Sequence, residues 1–94
     1  METFKTSRLS SGNKLFPTEI TILERRNVVI HNPGLFNTDE KTIPFSKIAS
    51  VSINKPLIGF STIVIETTGE DSISITGFTK DQVIKMKEII LENI

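Results

Sequence analysis

The chain closes on Phe78-Thr79-Lys80-Asp81-Gln82-Val83-Ile84-Lys85-Met86-Lys87-Glu88-Ile89-Ile90-Leu91-Glu92-Asn93-Ile94, and this stretch decides the fold. Thr79 with Gln82 three residues on makes a capping box, and Phe78 and Val83 stand at the two positions of a hydrophobic staple. At roughly 100° per residue, Val83, Met86, Ile90 and Ile94 fall on one stripe, widened by Ile84 and Leu91. Lys87 projects into that stripe and snorkels outward along its stem. Ile89 falls off it, as an exposed apolar residue or one set against a neighbouring chain. The spacing predicts one amphipathic helix over Thr79–Ile94.

Everything before that helix reads as β. Thr3–Leu9 is a strand of mixed character, and Ser10-Ser11-Gly12-Asn13 is a turn cluster. A second strand starts near Lys14, bends at Pro17 and is clearest over Glu19–Leu23. Glu24-Arg25-Arg26-Asn27 reads as a hairpin turn in which Asn takes positive φ. The β-branched Val28-Val29-Ile30-His31 then pairs back. Asn32-Pro33-Gly34-Leu35 fits a type II turn. The chain extends again from Asp39 to Ile43, and Pro44-Phe45-Ser46-Lys47 reads as one helical or 3₁₀ turn. Ile48–Asn54 alternates, with Val51 and Ile53 on one face. Lys55–Gly59 is a connection. Phe60–Thr67 is the most apolar strand, dense enough to suggest burial on both faces or a barrel bend. After the loop Thr68–Asp71, Ser72–Thr76 alternates strictly. About seven short strands at this spacing are the mark of a sandwich or partly open barrel.

Composition sets the frame. Ninety-four residues with 37% hydrophobic and 23% charged side chains make one globular domain spanning 1–94. No cysteine is present, so neither a disulfide framework nor thiolate chemistry enters. No run is long and apolar enough for a membrane span, and no signal peptide pattern opens the chain, which makes a cytoplasmic protein the expectation. The starting Met and tight ending suggest a complete chain. Eleven basic residues balance eleven acidic ones, which argues against a nucleic-acid binder. Residues 1–55 carry a surplus of +3 and residues 56–94 one of −3, a polarity that either steers an anionic partner or is plain solvated surface.

From Glu19 to Ile94 the sequence resembles the bacterial pleckstrin-homology (PH)-like domains in their short stand-alone form. Ile20-Thr21-Ile22-Leu23-Glu24-Arg25-Arg26-Asn27-Val28-Val29-Ile30 looks like the family's opening hairpin, with Gly34 closing its second strand. Thr42-Ile43-Pro44-Phe45-Ser46-Lys47-Ile48-Ala49-Ser50-Val51 is similar to its strand, Pro-containing turn and next strand. Leu57-Ile58-Gly59-Phe60 with Ile63-Val64-Ile65 resembles the glycine-led strand that follows, and Ile73, Ile75 and Gly77-Phe78 precede the closing helix. The resemblance implies a mainly β fold. Seven antiparallel strands form two sheets as a barrel or sandwich, residues 3–9 supply the first strand, and the C-terminal helix caps one open end. The same fold serves lipid, peptide and protein binding, and the bacterial family is associated with oligomer formation.

Candidate chemistry is thin. His31 is the single histidine, and with no carboxylate pair at a telling spacing, neither a metal site nor acid–base catalysis has its parts. No serine has the context of an activated nucleophile and no glycine run cradles phosphate. The expectation is a non-enzyme without cofactor. Lys5, Arg8 and Lys14 flank the first turn and form a sparse version of the lipid-headgroup cluster of eukaryotic relatives. Glu70 and Asp71, placed at the same open end, would repel phosphate. Arg25 and Arg26 are either plain surface charges or a fork for a partner's carboxylates. Leu35-Phe36 and Leu57-Ile58 are apolar pairs beside turns, packed in the core or exposed as an interface. The favoured partner is a protein or a second copy of the chain, joined through sheet edges. The alternative is an anionic membrane surface.

Overall fold

The computed structural model describes residues 1–7, 18–32, 39–69 and 72–94. Seven strands precede one helix: β1 (Glu2–Lys5), β2 (Glu19–Leu23), β3 (Asn27–Asn32), β4 (Asp39–Pro44), β5 (Ile48–Asn54), β6 (Ser61–Thr67), β7 (Ser72–Phe78) and α1 (Lys80–Asn93). All pairings are antiparallel, in a four-stranded sheet ordered β1-β2-β3-β4 and a three-stranded sheet ordered β5-β6-β7. The two sheets enclose one core. They are joined covalently at the 3₁₀ turn Phe45–Lys47, entered through extended Pro44, and meet again where Ser7 N–H donates to Gly77 O at 2.9 Å. Among the described residues closure is partial, which makes a two-sheet sandwich with a touching corner.

Period-2 patterning explains the first sheet. Phe4, Ile20, Ile22, Val28, Ile30 and Ile43 all point inward and are buried. Two bulges explain what simple alternation misses in the second. The register slips between Ile48 and Ser50, so Ile48 and Val51, three apart, both reach the core. The second slip lies between Ser61 and Thr62, opposite Gly77 at φ 129, a left-handed region open to glycine at no steric cost. It swings Phe78 fully into the core.

Several expectations change. The first strand ends at Lys5, not Leu9, and β6 starts at Ser61, not Phe60. At the β2–β3 turn the positive φ belongs to Arg25, at 65°, while Asn27 already pairs with Leu23 in the ladder. β6 is buried on one face, with Ile63 and Ile65 fully inside and Val64 only half-buried. The turn expected at residues 32–35 runs beyond the described residues, as do Leu35-Phe36, Glu70 and Asp71.

The helix forms as its ends dictate. Gln82 N–H donates to Thr79 Oγ1 at 3.2 Å and Thr79 N–H to Gln82 Oε1 at 2.9 Å, a complete capping box. Val83, Met86 and Ile90 are fully buried, and α1 packs on β5 and β6 and reaches β2. Its roll differs from the expected one. The buried arc leans to the side of Met86, so Ile89 packs against the core, whereas Leu91 and Ile94 are exposed.

Candidate interaction surface

The sheet edges differ first in their side chains. β1 carries Glu2 and Lys5, and both are tied down. Lys85 Nζ lies 3.5 Å from Glu2 Oε2, and Lys5 Nζ 3.4 Å from Glu19 Oε1. β4 carries Asp39, Glu40 and Lys41 and ends in Pro44, residues that discourage another strand from adding. The edges of the second sheet, Ile48–Asn54 and Ser72–Phe78, contain no charged residue and no proline.

They differ also in how well they cover the core. Ile53 on β5 and Ile73 and Ile75 on β7 pack against the core yet stay only partly buried, and among the described residues no further strand lies beyond them. Among the described residues, the bond from Ser7 to Gly77 is the one backbone bond from outside the sheet that reaches β7. No other strand among the described residues pairs with the outer edge of β7, which carries half-covered isoleucines.

The β5–β6 connection adds an apolar tip. Leu57 is 94% and Ile58 91% exposed, which overturns the core-packing account of this pair. The pair ends at Gly59, whose φ of 102° turns the chain back toward β6. Lys55 stands exposed beside it.

The cationic candidates are scattered. Lys5 is exposed but paired with Glu19, whose other oxygen lies 3.8 Å from His31 Nδ1. Arg8 and Lys14 lie outside the described residues. Arg25 and Arg26 are exposed at the hairpin tip, and the Arg25 N–H donates to Asn93 Oδ1 at 3.0 Å. Asn93 Nδ2 in turn donates to Ile89 O at 2.8 Å, so one side chain fastens the tip to the last helical turn.

Two lysines converge elsewhere. Lys41 and Lys47 line an open groove of about 390 Å³ between β4 and the β6–β7 loop, with Pro44, Thr67 and Thr68. Sequence reasoning missed this pairing; its signal is a run from Lys41 to Ile65 that holds three lysines and no acidic residue. The groove also takes in Thr68 and Gly69 at the start of the β6–β7 loop. Among the described residues no group of three or more acidic or histidine side chains gathers as a metal site, and no helix is long and apolar enough to cross a membrane.

A family model described as a bacterial PH domain matches residues 9–94, nearly the whole chain. No curated protein and no solved structure matches it.

Proposed function

The chain belongs to the bacterial PH domain family, and from that membership and its open sheet edges we infer a non-catalytic module that binds protein, first of all a second copy of itself. One observation carries this. The three-stranded sheet ends on both sides in strands without charge, with core isoleucines half-covered. A strand added there pairs the edge backbone groups and finishes the burial of those side chains. The exposed Leu57-Ile58 tip supplies further apolar surface for a partner, and Arg25 and Arg26 offer forks for its carboxylates. A headgroup site at Lys5, Arg8 and Lys14 is less favoured, because Lys5 would first have to give up Glu19. Light scattering across a concentration series tests the proposal: mass should rise above that of one chain, and a single-chain mass at high micromolar concentration overturns it.

A further inference from the structure

Of the two open edges, β7 has the sequence symmetry of a strand that pairs with itself. Ser72-Ile73-Ser74-Ile75-Thr76 reads almost the same in both directions. Laid antiparallel against a second copy about a two-fold axis at Ser74, it sets Ile73 opposite Ile75 of the other copy, Ser72 opposite Thr76, and Ser74 opposite itself. Directly opposed residues share a face. The half-covered isoleucines therefore meet on the core side, and the hydroxyls meet on the outer side, where Thr62 and Thr76 already hydrogen-bond at 2.7 Å.

The β5 edge lacks this fit. Its ladder is bulged between Ile48 and Ser50. Self-pairing about its midpoint, Val51, would set Lys47 against Lys55 of the other copy, and like charges directly opposed repel. Pairing β5 of one copy with β7 of the next would give an open chain of subunits, whereas a β7 pair closes on itself.

We propose that the chain forms a two-fold dimer in which β7 pairs antiparallel with β7 of a second copy, centred on Ser74, to make a continuous six-stranded sheet. This rests on the self-association proposed above and specifies its seam. The seam is short, so the dimer is weak and concentration-dependent.

Because the chain has no cysteine, Ser74→Cys introduces one thiol, and opposed strand residues approach within disulfide range. Mild oxidation should convert Ser74→Cys to a covalent dimer and leave Ser52→Cys, on the exposed side of β5, largely uncoupled. Ser74→Lys, which sets two like charges together at the axis, should shift the light-scattering mass to one chain while the circular dichroism stays that of the unsubstituted protein. If the unsubstituted chain self-associates but Ser74→Cys couples no faster than Ser52→Cys, the seam is wrong and self-association stands. If the unsubstituted chain is a monomer throughout, self-association falls and the seam with it.

Discussion

In the four-stranded sheet every core-facing aliphatic or aromatic side chain is buried, out to Phe4 on one edge strand and Ile43 on the other. In the three-stranded sheet the middle strand is fully buried at Ile63 and Ile65, and Ile48, Val51 and Phe78 on its edge strands are buried too, but Ile53, Ile73 and Ile75 on those edges stay half-covered. Charge follows the same division. The first sheet's edges carry Glu2, Lys5, Asp39, Glu40 and Lys41, and the second's carry none. Where the edges are guarded by charge, their core-facing apolar side chains are all buried; where they are not, three isoleucines stay half-covered, and charge on an edge is how a sheet resists further strands. A sheet that lacks both is open to a partner, and that difference is the physical basis for assigning binding to one side of the molecule.

The most severe way to break the contrast is to charge its well-covered parts. Ile65→Asp, and Val51→Asp beside it, bury a carboxylate among aliphatic side chains with nothing to pair it, at a cost of several kcal/mol. For a domain of this size that is most of its stability. Both variants are expected to lose the folded circular dichroism spectrum at 25 °C; a soluble, cooperatively melting Ile65→Asp would overturn the core assignment.

Truncation gives a finer cut. Ile22→Ala removes a fully buried side chain between β1 and β3 and should cost about 2–5 kcal/mol. Ile75→Ala removes one already partly wet, and the loss should be about 1–2 kcal/mol in the monomer. Urea unfolding at low protein concentration reads both. Equal losses would mean that the β7 edge is as well covered as the first sheet, and the distinction between the two would fail.

How much of this was legible in the sequence depends on whether the cause was local. The alternation of Ile20 to Leu23 and of Ser72 to Thr76 shows in consecutive residues, and so does the capping box of Thr79 and Gln82, which the structure reproduces. The bulges were hidden, because the extra residue at Ala49 or Gly77 is defined only against the partner strand. The helix roll was hidden for a similar reason. Val83, Met86 and Ile90 are inside at either roll, and the packing on β5, β6 and β2 decides whether Ile89 or Leu91 joins them. The exposure of Leu57-Ile58 depends on how the Gly59 turn points the loop, and hydropathy alone favours the opposite. Of the proposed cationic trio only Lys5 lies among the described residues, so its convergence with Arg8 and Lys14 stays a reading of sequence. Lys41 and Lys47, six apart on either side of the Pro44-led entry to the 3₁₀ turn, line the same groove.

The smallest test compares buried hydroxyls. At the open end of the first sheet they are fully used. Thr18 N–H donates to Thr6 Oγ1 at 3.0 Å, and Thr18 Oγ1 donates to Asn32 Oδ1 at 2.7 Å. In the second sheet Ser61 is fully buried and its Oγ has no hydrogen-bond partner among the described residues. Removing a partner strands a donor, so Thr6→Val should cost about 1–3 kcal/mol. Removing an unsatisfied hydroxyl relieves a desolvation cost instead, so Ser61→Ala should be neutral or stabilising by up to about 1 kcal/mol. Paired thermal melts decide it. A Ser61→Ala variant that melts clearly lower would mean its hydroxyl is hydrogen-bonded after all, and the contrast between the two sets of buried hydroxyls would lose its support. A higher melt beside a lower one for Thr6→Val would extend the contrast to buried hydroxyls, though not to every polar group, since Asn27 Oδ1 on β3 is also buried without a partner among the described residues.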